Sequence, residues 1–310
     1  MPANVERVAD CCILGEGPHW DVETQSLYYV DIVERSVHKY TPSTKTHTKA
    51  TVGENEVSFI IPVEGTPNKY LISCGKQVIL AEWDGISDKV TELQKRAEVD
   101  TEEDATGNRI NDGKCDSTGR LWCGTMGPRP KPGQVARERG AFYSIDSNGK
   151  VKQHLKSIHI SNGLAWNSDD TKFYYIDSGT GEIHQYDFDA INGEISAKKV
   201  IFSLQKVSID GFADGQTIDT DGNLWVAIFN GYKVIKIDPR KENALLDTIE
   251  IPAKQVTSVT FGGPNLDELY VTTAGFTIND EVLPPPNNGA LYKITGLGVK
   301  GYPGAKAKLS

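Results

Sequence analysis

Short apolar runs recur along the whole chain, and each is entered through a turn that contains Gly, Asp, Asn or Pro. Such runs predict β-strands joined by hairpins, and no segment sustains the period of a long amphipathic helix. The clearest unit is a polar turn followed by an apolar strand. It occurs at residues 21–32, 116–126, 167–178, 219–228 and 263–273, with a weaker copy at 66–73.

The spacing of this unit predicts the architecture. The first large apolar residues of the copies follow one another at intervals of 43 to 52 residues, at Leu27, Tyr70, Leu121, Phe173, Leu224 and Leu269. Repeats of this length are typical of four-stranded propeller blades. We therefore predict an all-β, six-bladed β-propeller of antiparallel blades, formed as one domain by residues 1–310. The segment from Val5 to Cys12 is expected to add the outer strand of the last blade, which leaves no long sheet edge open.

The innermost strands of a propeller surround its axis, so their first residues gather at one end of the central channel. The residues expected there are Glu16, Ser58, Asn111, Asn162, Asp214 and Ser258. Three of them share one register, because each lies four residues before an apolar strand position: Glu16, Asn162 and Asp214.

Two carboxylates and an amide oxygen are typical ligands of a hard divalent cation. Ca²⁺, Mg²⁺ or Mn²⁺ suits this set, and Zn²⁺ also accepts carboxylates. We predict that Glu16, Asn162 and Asp214 hold one such ion and leave positions open for water and substrate. The alternative is that these side chains only cap strands and bind N–H groups of turns.

Two long loops, 127–139 and 275–288, join second and third strands and are predicted to flank the same end of the channel. They are candidates for a lid or a substrate wall, or for solvated surface loops. The segment from Asp219 to Asn223 resembles part of a calcium loop but lies in a hairpin turn and lacks the later glutamate.

Composition restricts the partners. The formal net charge of −9 and the pI of about 5.3 disfavour nucleic acid or an anionic membrane as the main partner. The five cysteines form no CxxC pair, and the first residues lack a secretory pattern. We expect a cytoplasmic monomer that binds a small molecule. Peroxisomal import is not expected, because Ser310 follows the Lys-Leu pair.

Five segments carry a family resemblance that spans residues 15–301. They begin at Gly15, Asn108, Ile160, Asp214 and Tyr292 and read GEGPHWD, NRINDGKCDSTGRLWCGTM, ISNGLAWNSDDTKFYYIDS, DGQTIDTDGNLWVA and YKITGLGVKG. This pattern resembles the regucalcin, senescence-marker-protein and gluconolactonase family. VSFIIP from Val57 and QVTSVTFGGPNLDELYVT from Gln255 resemble its firefly luciferin-regenerating branch.

The resemblance implies a six-bladed propeller with one divalent metal, whose ligands fall on Glu16, Asn162 and Asp214. It also implies that Arg109 and Asn111 contact the substrate. In the family's lactonases, an acidic residue that binds the sugar follows the GTM motif by three positions. Arg129 stands there in this chain, so Arg129 becomes a candidate substrate contact and a sugar lactone is disfavoured.

The implied activity is metal-dependent hydrolysis. Asp214 is the predicted general base, since a carboxylate can bind a cation through one oxygen and a proton through the other. Arg109 would orient the substrate or stabilise negative charge. The luciferin-regenerating branch implies conversion of oxyluciferin to a cyano-hydroxybenzothiazole. The alternatives are a sugar or aryl lactonase and a calcium-binding regulator of the regucalcin kind.

Overall fold

Six four-stranded antiparallel sheets arranged as propeller blades account for nearly all regular structure in the computed structural model, which describes residues 3–10, 12–130, 134–278 and 281–310. The predicted six-bladed all-β propeller is therefore confirmed. Two 3₁₀ helices occur within the described ranges, at Glu103–Ala105 and Ser178–Thr180.

The first strand of the chain, β1 (Asn4–Ala9), lies apart from the five blades that follow it in sequence. Within each of those blades the strands pair in chain order. Blades one to three contain β2 (Gly15–Asp21), β3 (Ser26–Asp31), β4 (Ser36–Thr41), β5 (Thr46–Thr51), β6 (Ile60–Pro62), β7 (Lys69–Cys74), β8 (Gln77–Glu82), β9 (Thr91–Glu98), β10 (Arg109–Cys115), β11 (Leu121–Met126), β12 (Gly140–Ile145) and β13 (Val151–Ile158). Blades four and five contain β14 (Ser161–Trp166), β15 (Lys172–Asp177), β16 (Glu182–Asp189), β17 (Glu194–Ser203), β18 (Phe212–Ile218), β19 (Leu224–Phe229), β20 (Lys233–Asp238) and β21 (Ala244–Glu250).

The last blade joins the two ends of the chain. Its strands β22 (Gln255–Gly262), β23 (Glu268–Ala274) and β24 (Leu291–Thr295) are followed on the outside by β1, which pairs antiparallel with β24. The ring is thus closed by backbone hydrogen bonds between segments that are far apart in sequence, and opening it would expose two strand edges.

Apolar side chains fill the space between neighbouring blades. Between blades three and four, Trp122, Phe142, Phe173 and Tyr175 form one buried aromatic cluster, in which the rings of Phe142 and Phe173 stack at 5.5 Å. Burying each such side chain contributes about 1.5–3 kcal/mol. This packing fixes each blade against the next and so fixes the inner strands around the axis.

Five of the six inner strands lose regular pairing at the level of the predicted site. Their register shifts lie at Glu16/His19, Ile110/Asp112, Asn162/Leu164, Ala213/Gln216 and Val256/Ser258. A β-bulge bends its strand and changes the direction of the side chains beside it. At these bulges, side chains therefore point towards the channel where regular alternation would point them away from it.

Glycines let the inner strands approach one another at this level. A Cβ atom at Gly163 would lie 2.7 Å from the backbone oxygen of Asp214, on the next blade. A Cβ atom at Gly215 would lie 2.0 Å from Ser258 Oγ and 2.7 Å from Ser258 Cα, on the blade after that. The glycine that follows each of Asn162 and Asp214 is thus a condition for bringing the inner strands of blades four, five and six together.

The segment that resembles a calcium loop is a hairpin turn held by its first aspartate. Asp219 Oδ1 accepts hydrogen bonds from the backbone N–H groups of Asp221 at 3.0 Å and Asn223 at 2.8 Å. Asp219 Oδ2 accepts one from Trp225 Nε1 at 2.9 Å and pairs with Lys236 Nζ at 3.1 Å. The carboxylate is therefore occupied in stabilising the turn.

The last residues cross several blades and tie them together. Lys300 accepts a backbone hydrogen bond from Thr220 in blade five. Further along, the N–H groups of Ala307 and Lys308 donate to Pro62 of blade two and Gly119 of blade three. Together with β1, this tail gives the ring a second set of contacts that are non-local in sequence.

Two of the described cysteines pack as small hydrophobic side chains in the core. Cys115 and Cys123 are buried, and burial raises the pKa of both thiols, which keeps them protonated and unreactive. Cys11 lies outside the described residues. In the described part of the chain, no helix is long and apolar enough to cross a membrane.

We expect Gly215→Ala to destabilise the fold by about 1–3 kcal/mol, because the added methyl group overlaps Ser258 and the inner strands must move apart. Gly53→Ala is the matched control, since a Cβ there has no neighbour within 4 Å. Urea unfolding of both variants measures the difference. Equal stabilities would show that the close approach at Gly215 has no energetic importance.

Stability should also fall in acid through buried neutral histidines. His38 hydrogen bonds to Ser36 and His47, and burial lowers its pKa from 6.5 to about 3. Between these values the unfolded chain binds a proton that the folded chain rejects. The free energy of unfolding should therefore decrease as pH falls below 6.5, by about 1.4 kcal/mol per pH unit from this residue. In urea unfolding measured between about pH 4 and about pH 7, His38→Gln should reduce the slope of the free energy of unfolding against pH. An unchanged slope would show that His38 does not cause the loss of stability.

Candidate active site

A cavity of about 310 Å³ lies at the end of the channel where the inner strands begin. Its polar lining includes Glu16 from β2, Asn111 from β10, Asn162 from β14 and Asp214 from β18. The structure thus brings all three predicted metal ligands into one cavity, together with Asn111. This volume is within the range of small-molecule sites.

Hydrogen bonds fix which atom of the Asn162 side chain can bind a cation. Ser178 donates its hydroxyl proton to the Ala213 carbonyl at 2.7 Å, so Ser178 Oγ accepts from Asn162 Nδ2 at 2.8 Å. The amide oxygen Asn162 Oδ1 is left for the channel side, where Asn111 Nδ2 donates to it at 3.1 Å. Asn111 therefore orients the predicted ligand Asn162. The Asn111 side chain is itself held in place by its hydrogen bond to Ser161 O at 2.8 Å.

Burial raises the pKa of both carboxylates of the site. Burial raises the pKa of Asp214 well above its usual range, and the charge of Glu16 raises it further. Burial likewise raises the pKa of Glu16, with the neighbouring Asp112 as the next cause. Like charges buried this close oppose ionisation, and a cation between them removes that penalty.

These residues fit the predicted divalent cation by the chemistry of their donor atoms. Two carboxylates and an oriented amide oxygen form a hard, oxygen-only set. Within the described ranges, no three histidine, cysteine or carboxylate side chains converge in a metal-binding arrangement. An ion at this place therefore depends on Asn162 as its third protein ligand.

Arg109 lies behind the cavity wall and is not among the residues that line it. Its Nε pairs with Glu56 Oε2 at 3.1 Å and its Nη1 donates to Ile110 O at 2.9 Å. Nη2 is buried and has no hydrogen-bond partner among the described residues. The predicted substrate contact is thus placed near the site, with one donor unused, but outside the cavity surface.

The two serines expected at the channel mouth are also absent from the cavity lining. Ser58 Oγ lies 2.9 Å from Ser73 Oγ and donates to Ile110 O at 3.1 Å, so it joins blades two and three. Ser258 packs beneath Gly215. Both serines serve the contact between inner strands.

Arg129 lines the cavity and lies 5.3 Å above the ring centroid of Phe276. This cation–π contact links the two long loops, because Arg129 belongs to 127–139 and Phe276 to 275–288. Gln134 and Val135 of the first loop and Ile278 of the second also line the cavity. Residues 131–133 and 279–280 of these loops lie outside the described residues.

The upper walls of the cavity are apolar, which the sequence did not reveal. Three aromatic side chains contribute from separate places in the chain: Phe212, Phe229 and Phe276. Leu14, Ile32, Met126 and Ile160 extend the apolar surface. Asp112, buried in the channel beside Glu16, and His159, in the cavity itself, were also missed. No local motif distinguishes them from ordinary strand and loop residues.

The sequence matches a known protein family over most of its length. A family model described as "SMP-30/Gluconolactonase/LRE-like region" matches residues 14–275. The chain belongs to this family. Regucalcin from Homo sapiens is 37% identical over 291 residues, which cover 94% of this chain and 93% of that protein.

Two solved structures share the fold over nearly their whole length. A luciferin-regenerating enzyme is 45% identical with a TM-score of 0.93, covering 99% of this chain and 100% of that one. A calcium-binding protein, regucalcin, from Agrobacterium tumefaciens is 26% identical with a TM-score of 0.85, covering 100% of this chain and 99% of that one. The resemblance predicted from the motifs is confirmed.

We expect Asp214→Asn to stabilise the metal-free protein at neutral pH, because burial raises the pKa of Asp214 and the folded chain must bind a proton there that the unfolded chain does not need. A gain of about 1 kcal/mol would raise Tm by about 2–4 °C. Thermal unfolding in the presence of a chelator measures it, with Asp210→Asn, an exposed carboxylate, as control. A lower Tm for Asp214→Asn would show that burial of the Asp214 carboxyl group carries no such cost.

Proposed function

We propose that this protein is a divalent-metal-dependent hydrolase that acts on a small aromatic carbonyl compound. The observation that carries the proposal is the polarity of the cavity. Buried carboxylates and an oriented amide oxygen lie at its base, and aromatic side chains form its upper walls. Such a site can hold a flat apolar molecule with one polar group directed at the base.

Glu16, Asn162 and Asp214 would hold the ion, which would polarise a carbonyl oxygen and lower the pKa of water. Asp214 is the proposed general base. No described residue donates a hydrogen bond to its carboxylate, so one oxygen stays available for a proton. Asn111 keeps Asn162 in its binding orientation, and the unused Nη2 of Arg109 adds positive charge behind the wall.

The walls support an aromatic substrate more than a sugar. A polyhydroxylated ring needs many hydrogen-bond partners, whereas Phe212, Phe229 and Phe276 offer ring faces. Arg129 stands where the family's lactonases carry a sugar-binding acid, and it can meet an anionic or electron-rich group. The likeness to a luciferin-regenerating enzyme supports oxyluciferin as the first compound to test. An aryl lactone is the second compound to test. A role in calcium binding alone would not explain the apolar walls of the cavity.

The test is turnover by protein that has been stripped of metal and reconstituted separately with Ca²⁺, Mg²⁺, Mn²⁺ or Zn²⁺. Oxyluciferin, dihydrocoumarin and gluconolactone serve as substrates. We expect activity only with an added ion, and higher kcat/KM for the two aromatic compounds. Asp214→Ala should lower kcat by about 10²–10⁴, the range of general acid–base catalysis.

Asp210→Ala is the matched control, because Asp210 is an exposed carboxylate four residues earlier in the chain. It should keep full activity. Turnover by the chelated protein, or by Asp214→Ala, would refute the metal-dependent mechanism. Hydrolysis of gluconolactone alone would refute the proposed aromatic substrate but would not contradict the metal-dependent mechanism.

A further inference from the structure

One titratable side chain in the cavity has no part in the function proposed above. His159 lies in the connection between β13 and β14 and lines the same cavity as Glu16, Asn162 and Asp214. Its side chain is half-buried, and no described residue forms a hydrogen bond with its imidazole. The described residues therefore leave the imidazole without a hydrogen-bond partner in the protein.

The backbone that carries His159 is held firmly by one carboxylate. Asp177, at the end of β15, accepts hydrogen bonds from the N–H groups of His159 at 3.1 Å and Ile160 at 3.0 Å. The same carboxylate accepts from Gly179 N at 3.2 Å, and Ser178 N donates to Ile160 O at 3.1 Å. The connection and the 3₁₀ helix Ser178–Thr180 thus form one fixed unit at the rim of the cavity.

The imidazole lies directly over Gly179. A Cβ atom at that residue would be 1.9 Å from His159 Nδ1 and 2.4 Å from its Cγ. The ring is therefore located by packing against a backbone that has no side chain, while its nitrogens make no bond to the protein. A group that is fixed in place and chemically free suits proton transfer to a ligand.

The charges around this ring come from several elements. Asp177 lies on β15 beneath the connection, Glu16 and Asp214 line the base of the cavity, and Arg129 lines it from the loop 127–139. Carboxylates outnumber the arginine among these groups.

We propose that His159 is the general acid of this site, which protonates the oxygen that leaves the substrate. This step rests on the hydrolase proposed above. Water adds to the carbonyl carbon and loses a proton to Asp214. The carbon–oxygen bond of the ester then breaks, and the departing oxygen takes a proton from the His159 imidazolium. Before the next turnover Asp214 releases its proton to solvent, and the neutral imidazole regains one from solvent.

The test compares esters that differ only in how much their leaving oxygen needs a proton. Phenyl acetate has a poor leaving group, whereas 4-nitrophenyl acetate leaves readily as the anion. We expect His159→Gln to lower kcat for phenyl acetate by about 10²-fold or more. The same variant should change kcat for 4-nitrophenyl acetate by less than about threefold, since that reaction requires little acid catalysis.

A second variant keeps the histidine and moves it. Gly179→Ala must displace the imidazole, so it should reproduce the selective loss for phenyl acetate. His154→Gln is the matched control, because His154 bonds to Ser144 on the outer part of blade three and is not among the cavity residues. It should leave both rates unchanged, and circular dichroism should show that all three variants are folded.

Two results would overturn the proposal for His159. An equal loss with both esters would indicate a structural or binding role, and no loss with either would indicate no role. These outcomes are separate from failure of the proposed function. If the reconstituted wild-type protein hydrolyses neither ester nor any of the aromatic compounds, the hydrolase assignment itself is wrong.

Discussion

The close approach of the inner strands around one axis is the constraint on which the rest of this structure depends. Where those strands begin, a glycine follows each of Glu16, Asn162 and Asp214, and the strand pairing is broken by a bulge. The missing side chains let neighbouring blades touch, as at Gly215 and Ser258. The bulges direct polar side chains into the remaining space. The geometry of the ring and the geometry of the site are therefore one arrangement.

This arrangement places charge where it is unfavourable for folding. Glu16, Asp112 and Asp214 are buried near one another, and burial together with like-charge repulsion raises the pKa values of the first and last. Proteins retain such strained electrostatics where a ligand or a reaction needs them. The ring tolerates the cost because its closure does not depend on the site. β1 closes the last blade, and the C-terminal tail connects blades two, three and five.

The division of the cavity into a polar base and an apolar rim also follows from the blade geometry. Inner strands supply the base, and their positions are fixed by contacts on both sides. The rim combines Phe212, at the start of β18, with residues of the connections between strands, such as Phe276 and His159. Substitutions in the connections alter the walls without disturbing the base. Members of one family can thus share the polar base and differ in the molecule they accept.

The sequence by itself determined the blade repeat, the strand order and the three cavity oxygens at Glu16, Asn162 and Asp214. These follow from local alternation, turn residues and a register that repeats from blade to blade. Only the tertiary structure decided that Arg109 turns towards Glu56, that Ser58 and Ser258 bind their neighbours, and that Asp112 and His159 approach the site. A bulge changes the side of the strand on which the following side chains lie, and it has no distinct sequence signal. The cavity walls, moreover, combine residues from blades that are distant in the chain. Those contacts exist only once the ring has closed.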